Sequence, residues 1–193
     1  MALINKTKYL EWDTERVPLK ISRPTFVELY ENNKILVNKL GKIKAVYDDT
    51  MVFCDQTIRV LVKYIDLINV ENRSINNSIK KFSNFDRKKL EQISLNYNLE
   101  FITGLLNTKL YAYILDLLRT KESFDINPLI LRKLPIPHIS IDEQKPYIEL
   151  VGKIIELKKN NNDTTEEENK IDQMIYKLYD LTAEEIEIVD NQT

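Results

Sequence analysis

A run of basic side chains between residues 73 and 89 is the strongest chemical signal in this 193-residue chain. Its six cations are Arg73, Lys80, Lys81, Arg87, Lys88 and Lys89, and the one carboxylate among them is that of Asp86. A local excess of this kind suits an anionic partner, because clustered positive charge raises the local concentration of phosphate or carboxylate groups. The alternative interpretation is a solvated, lysine-rich loop that binds nothing.

Paired acidic and basic residues suggest a second chemistry, that of metal-dependent nucleases. Glu-x-Lys occurs three times, as Glu143-Gln144-Lys145, Glu156-Leu157-Lys158 and Glu168-Asn169-Lys170. All three copies fall on predicted helices, whereas the nuclease motif needs a strand for the Glu-x-Lys and another strand-borne acid before it. Chance in a chain with 30% charged residues explains these matches better, so we predict no nuclease centre.

The remaining reactive residues have simpler interpretations. Cys54 is expected in the middle of a strand as a core thiol, since no basic neighbour adjoins it. His138 follows a proline-rich stretch and is expected at the surface or at a boundary rather than as a ligand. Asp48 and Asp49 are typical of a turn. The sequence therefore predicts no catalytic residue and no metal site in this chain.

Composition excludes several classes of protein. Only three glycines are present, at 41, 104 and 152, so no Gly-rich nucleotide loop can form. With 43% hydrophobic residues and no apolar run near eighteen, the chain is predicted to be globular and to lack a membrane span. A single cysteine and a polar start at Met1 indicate the reducing cytoplasm.

Charge divides the chain into two parts. Residues 1–133 hold 22 basic against 16 acidic residues, a balance of +6, and residues 134–193 hold 6 against 14, a balance of −8. The segment Leu134-Pro135-Ile136-Pro137 lies at this change and disfavours both helix and central strand. We therefore predict a basic domain over 1–133 that could meet an anionic partner, and an acidic C-terminal helical hairpin, with a short terminal helix, over 134–193.

Alternating apolar residues between 34 and 64 predict an antiparallel meander. Its strand-like stretches are 35–37, 43–47, 51–53 and 58–64. Arg59 and Lys63 are placed on its exposed face. Residues 9–26 are expected to wrap the sheet, with Trp12 buried, and the Asn-rich stretch 66–98 shows only a weak helical pattern.

Helical patterns dominate the rest of the chain. Residues 99–118 are apolar on nearly every side and predict one buried helix. A second helix is predicted over 142–159, and capping boxes at Thr165-x-x-Glu168 and Thr182-x-x-Glu185 predict two more. The fold class is therefore α+β: a small antiparallel or mixed sheet packed on a buried helix, followed by a C-terminal helical hairpin.

The order of several short motifs resembles a known family. The motifs are Tyr9-Leu10 with Trp12, Arg23-Pro24-Thr25-Phe26-x-Glu28-Leu29-Tyr30, Lys34-Ile35-Leu36-Val37, Tyr47-Asp48, Gly104-Leu105-Leu106-Asn107-Thr108-Lys109-Leu110, Leu134-Pro135-Ile136-Pro137 with Gln144, and the closing stretch 171–186. Over nearly the whole chain they are similar to the TaqI-like C-terminal specificity domain of adenine-specific DNA methyltransferases and fused type II restriction-modification enzymes. Thr108 stands where that family usually has serine.

This resemblance implies a target-recognition role beside a separate catalytic part. Its partners would be double-stranded DNA and a methyltransferase domain or subunit. S-adenosylmethionine, and Mg where the parent enzyme also cleaves DNA, would belong to that catalytic part, and no cofactor is expected in this chain. The chain has neither a Gly-rich loop nor a Pro-Pro dipeptide, so we do not expect it to be an enzyme by itself.

The resemblance also implies what the basic, Asn-rich stretch would do. Arg, Lys and Asn side chains read base edges in the major groove, and further cations neutralise phosphates. From charge and placement, the candidate DNA-binding residues are Lys42, Lys44, Arg59, Lys63, Arg73, Asn76, Asn77, Lys80, Lys81, Arg87, Lys88 and Lys89.

Two alternatives belong to other classes. In the first, the chain is a protein-protein interaction or specificity-subunit module of a multisubunit restriction-modification complex. Its acidic hairpin would then bind another subunit, without direct base readout. In the second, the chain is an independent nuclease that cleaves DNA with magnesium, an activity we do not expect.

Overall fold

The computed structural model describes residue 26 and residues 28–54, 57–82, 84–119 and 125–192. The expected wrapping segment 9–26 lies outside these ranges except for Phe26. The motif of Tyr9-Leu10 with Trp12 therefore also lies outside them. None of the helices in the described ranges has the length and apolar character needed to cross a membrane.

A three-stranded antiparallel sheet lies near the start of the described chain. Its strands are β1 (Lys34–Asn38), β2 (Ala45–Asp48) and β3 (Ile58–Leu61), in the order β2-β1-β3. The predicted meander is wrong, because β1 is central and pairs with both others. The predicted strand 51–53 is absent, since Asp48 accepts the backbone N–H groups of Thr50 and Val52 at 3.2 and 3.1 Å and turns the chain away from β2.

A buried ion pair closes one end of this sheet. The Lys34 side chain is fully buried, with its Nζ 2.5 Å from Asp48 Oδ2, and it also donates to the carbonyl of Tyr30 at 2.8 Å. Burial raises the pKa of Asp48, but hydrogen bonds from Lys34, Thr50 and Val52 outweigh it and hold that pKa below its ordinary value of 3.8. Asp48 therefore does more than form the predicted turn.

Helices make up most of the remaining described chain. They are α1 (Glu28–Glu31), a 3-10 turn (Tyr64–Leu67), α2 (Arg73–Ile79), α3 (Arg87–Leu95), α4 (Leu99–Leu106), α5 (Lys109–Leu118), α6 (Pro128–Leu131), α7 (Ile141–Lys159), α8 (Thr165–Leu178) and α9 (Ala183–Gln192). The weak helical pattern over 66–98 thus corresponds to α2 and α3. The α+β class, with a C-terminal helical region, is confirmed.

The predicted single helix over 99–118 is wrong, because the chain breaks at Asn107 and Thr108 into α4 and α5. The Asn107 amide accepts the N–H of Ala45 at 2.9 Å and donates to the same residue's carbonyl at 2.8 Å, as a neighbouring strand would. The buried Asp172 carboxylate accepts the N–H of Lys109 at 2.9 Å and so satisfies the start of α5. These tertiary bonds replace the helical bonds that the break removes.

Gly104 lets α4 approach the C-terminal helices closely. A Cβ at this position would lie 2.8 Å from Val151 Cγ2 in α7 and 3.0 Å from Ile171 Cδ1 in α8. The first distance is shorter than real Cβ atoms show and the second is at that limit, so both neighbouring side chains would have to shift. The glycine in the predicted buried helix therefore marks the contact between α4 and the hairpin of α7 and α8.

The helix starts agree only partly with the predicted capping boxes. The box at Thr182 and Glu185 is confirmed, with reciprocal bonds of 2.8 and 3.3 Å. The box at Thr165 is wrong, because Thr165 is already helical and Asp163 accepts its N–H at 3.1 Å. A capping box that we did not predict, at Ser140 and Glu143, starts α7.

The acidic C-terminal segment packs against the preceding residues. One buried cluster contains Val37, Phe101 and Leu115 from the first segment and Val151 and Ile175 from the second. The hydroxyls of Tyr111 and Tyr179 both donate to the carbonyl of Pro135 and hold the connector against α5 and α8. The division at residue 134 stays a prediction about domains, while the two segments share this core.

Candidate nucleic-acid interface

Helix α2 presents a polar face to solvent. Asn72 caps it by accepting the N–H of Ser74 at 2.8 Å, and Ile75 is buried on its inner side. Arg73, Asn76, Asn77 and Lys80 are all exposed and follow the spacing i, i+3, i+4, i+7, which places them on one side of the helix. Within the described ranges, none of these four side chains makes a hydrogen bond or ion pair. They are therefore available to a ligand.

Helix α3 adds further cations beside α2. Asp86 caps α3 by accepting the N–H of Lys89 at 2.8 Å, so the carboxylate in this basic run has a structural role. Lys88 and Lys89 are exposed in the first turn of α3, and Lys81 is exposed just beyond α2. These two helices and the residues just after α2 thus carry seven exposed predicted site residues: Arg73, Asn76, Asn77, Lys80, Lys81, Lys88 and Lys89.

Arg87 is used differently from its neighbours. It forms an ion pair with Glu91 at 2.9 Å and donates to the carbonyls of Val70 at 3.1 Å and Leu67 at 2.7 Å. Its guanidinium ties α3 to the loop that leads into α2. A DNA contact by Arg87 stays a prediction, and it would compete with these three bonds.

Three predicted residues lie at the opposite end of the sheet. Lys42 and Lys44 are exposed in the loop between β1 and β2, whereas α2 follows the other end of β3. Arg59 is half-buried, forms an ion pair with Asp125 at 3.1 Å and donates to the carbonyl of Ile126 at 3.2 Å. A five-residue strand separates the two ends by roughly 17 Å. The structure therefore does not bring all predicted residues into one patch.

Lys63 lies at the α2 end of the sheet, in a polar hollow of about 430 Å³. The hollow is also lined by the carboxylates of Glu31, Asp66 and Glu100. Acidic neighbours weaken the attraction of this lysine for phosphate. The contribution of Lys63 to an anion-binding surface is therefore the weakest at this end.

The candidates for catalysis are dispersed. Cys54 is half-buried outside the strands, so its predicted place in mid-strand is wrong, and His138 is exposed after the connector. The three Glu-x-Lys sequences lie on α7 and α8, as predicted. In the part of the chain that the structure describes, no three His, Cys, Asp or Glu side chains are grouped to hold a metal ion.

One basic residue of this region was missed by the sequence analysis. Arg132, just after α6, donates from Nη2 to Ser78 Oγ of α2 at 2.8 Å, and its guanidinium carbon lies 5.7 Å from the centre of the Phe82 ring. The adjacent basic pair Arg132 and Lys133, immediately before the connector, was the available signal. Only the tertiary structure places Arg132 against α2.

Comparisons with known proteins add no relative of this chain, so any functional interpretation depends on the geometry described above. No family model, no curated protein and no solved structure matches the chain.

Proposed function

We propose that this chain is a DNA target-recognition domain of a restriction-modification system, which positions a separate adenine methyltransferase on its site. The observation that supports this proposal is the exposed face of α2. Arg73, Asn76, Asn77 and Lys80 share that face and have no intramolecular partner within the described ranges. Arginine and lysine pair with guanine, and asparagine pairs with adenine, in the major groove.

The size of α2 is compatible with this role. An α-helix with its side chains is about 10–12 Å across, and the major groove is about 12 Å wide and admits one such helix. Lys81, Lys88 and Lys89 are exposed in the residues that follow the helix along the chain and would neutralise phosphates beside the groove. Contacts to bases would then come from α2 and contacts to the backbone from these lysines.

The acidic C-terminal helices would remain away from DNA. Glu184, Glu185 and Glu187 are exposed on α9, which packs on α5 through the ion pair of Asp190 with Lys109 at 3.0 Å. Like charges repel the phosphate backbone, so DNA would approach from the α2 side. The exposed acidic side of α9 would then be free for the methyltransferase part.

Selection from a random duplex library tests the proposal directly. We expect the full chain to enrich one sequence motif. Affinity for that motif should fall about a thousandfold between 50 and 200 mM salt if about six phosphates are contacted. Recovery of no motif would instead support the protein-interaction alternative, and magnesium-dependent cleavage by the purified chain would support the nuclease.

A charge-matched pair of variants locates the surface. Replacing Lys80 and Lys81 together by glutamate should abolish enrichment, because Lys80 lies on the reading face, and should lower the salt dependence by about one phosphate equivalent, the contact proposed for Lys81. The control is the same replacement at Lys159 and Lys170, two exposed lysines of the acidic half, which changes the net charge equally. Equal loss of affinity in both variants would show that only net charge matters and would contradict the assignment to α2.

A further inference from the structure

A cluster of side chains holds α2 against the rest of the molecule. The Tyr64 hydroxyl lies 2.9 Å from Ser78 Oγ, and the rings of Tyr64 and Phe82 meet edge to face at 6.4 Å. Arg132 completes the cluster through its bond to Ser78 and its position over Phe82. The bonds connect the 3-10 turn, α2 and the residue after α6.

Arg132 is the member of this cluster that reaches furthest along the chain. It lies 54 positions from Ser78, and two residues beyond it begins the connector that Tyr111 and Tyr179 hold at Pro135. Within the described ranges its guanidinium has no carboxylate partner, and its Nη1 atom is buried without a hydrogen bond. A cation-π contact with Phe82 and one hydroxyl, rather than a counterion, therefore hold this charge.

We propose that Arg132 is a positioning residue that sets the angle of α2 relative to the α4–α5 core. The inference rests on the proposed function, because α2 carries the reading face. An arginine suits this task since its broad guanidinium lies over the Phe82 ring while Nη2 bonds Ser78, whereas the ammonium of lysine is a single compact point charge. The Nη1 atom is buried and so cannot itself contact a phosphate, and the salt dependence of binding tests whether the rest of the guanidinium does.

The first test measures the free protein by amide hydrogen exchange. Arg132→Met should make the amides of residues 73–82 exchange about tenfold faster, while those of α4 and α5 stay unchanged. Arg132→Lys should behave like Arg132→Met, and the neighbouring exposed Lys133→Met should behave like wild type. Ser78→Ala, a milder change, should give about a threefold increase and serves if the arginine variants fail to fold.

The second test measures binding to the selected DNA motif and to a random duplex. Arg132→Met should reduce the preference for the motif about tenfold and leave the salt dependence unchanged, because no phosphate contact is lost. Unchanged amide exchange, or an Arg132→Lys variant identical to wild type, would overturn the proposal. A salt dependence lowered by about one phosphate would instead make Arg132 a direct contact and also overturn it.

The two tests separate this inference from the proposed function. If the wild-type chain selects no motif, the DNA-recognition proposal fails. The exchange data then still decide whether Arg132 fixes α2, since they require no DNA.

Discussion

Side-chain amides occur both on the exposed face of α2 and in the interior between α4 and α8, but those on α2 meet solvent and the one in the interior is buried. Asn76 and Asn77 are exposed and make no side-chain hydrogen bond within the described ranges. Gln144 in α7 is fully buried, where it accepts the N–H of Asn98 at 2.9 Å and donates to the carbonyl of Asn96 at 2.7 Å. Amides in the interior thus stabilise the fold, and those on α2 are left for a partner.

The residues of the motif at 104–110 contact the interior of the molecule rather than the α2 surface. Gly104 permits close packing, Asn107 pairs with the backbone of β2, and the amide of Lys109 binds Asp172. Burial raises the pKa of Asp172, although the bond from Lys109 opposes this shift. Within the described ranges, the motif residues of α4 and α5 therefore stabilise the body, while the proposed reading residues lie outside the motifs.

The largest stability effect is expected at the buried pair of Lys34 and Asp48. Lys34→Met leaves the Asp48 carboxylate buried without its cation and should cost about 3–5 kcal/mol of unfolding free energy. Urea denaturation measures this loss. The control is Lys44→Met, an exposed lysine beside β2, which should change stability by less than about 0.5 kcal/mol. Equal losses of unfolding free energy in the two variants would contradict the claim that the buried lysine contributes more to stability than the exposed one.

The same pair predicts a pH dependence. Because the pKa of Asp48 is lowered in the folded protein, its contribution to stability is complete above the ordinary value of 3.8 and is lost as pH falls through the folded value. Asp172 acts in the opposite direction, since its raised pKa favours folding at low pH. As pH is lowered through the acidic range, the melting temperature of Asp48→Asn should fall less than that of the wild type. Thermal melts at a series of pH values measure this difference.

A smaller loss is expected at Gln144. Gln144→Leu leaves the amide of Asn98 and the carbonyl of Asn96 without these bonds and should cost about 2–3 kcal/mol. Gln92→Leu, at an exposed position of α3, is the matched control and should be nearly neutral. A neutral Gln144 variant in chemical denaturation would contradict the structural role assigned to interior amides.

Two glycines provide a comparison of opposite sign. Gly104→Ala forces Val151 and Ile171 to move and should destabilise the protein by about 1–3 kcal/mol. Gly152→Ala lies in α7 with no heavy atom within 4 Å of the new Cβ and should stabilise the helix by up to about 1 kcal/mol. Melting temperatures that move in the same direction for both variants would contradict the close contact of α4 with the hairpin.

The smallest effect on folding is expected on α2. Replacing Asn76 and Asn77 together by alanine should change stability by less than about 0.5 kcal/mol, since neither side chain has a partner to lose. If α2 reads bases, the same variant should lose motif preference while keeping its salt dependence, because phosphate contacts remain. A large fall in stability would assign these amides to the fold instead.

Periodic patterns predicted the helices of the second half well, because apolar residues recurring every three or four positions mark a buried face directly. Ile171 and Ile175 of α8 are buried as that pattern requires. The break at Asn107 was not predictable in this way. Its compensating bonds come from Ala45 and Asp172, which are 62 and 65 positions away along the chain.

By itself the sequence determined the α+β class, the charge difference between its two parts and the basic run from Arg73 to Lys89, because composition and local periodicity are properties of neighbouring residues. The tertiary structure alone decided which of those cations are free. Arg87 is bound by Glu91 and by the backbone carbonyls of Val70 and Leu67, whereas Arg73 and Lys80 are exposed on the outer side of α2. It also placed Arg132 against Ser78. Such contacts depend on how elements pack in space, which local sequence patterns do not record.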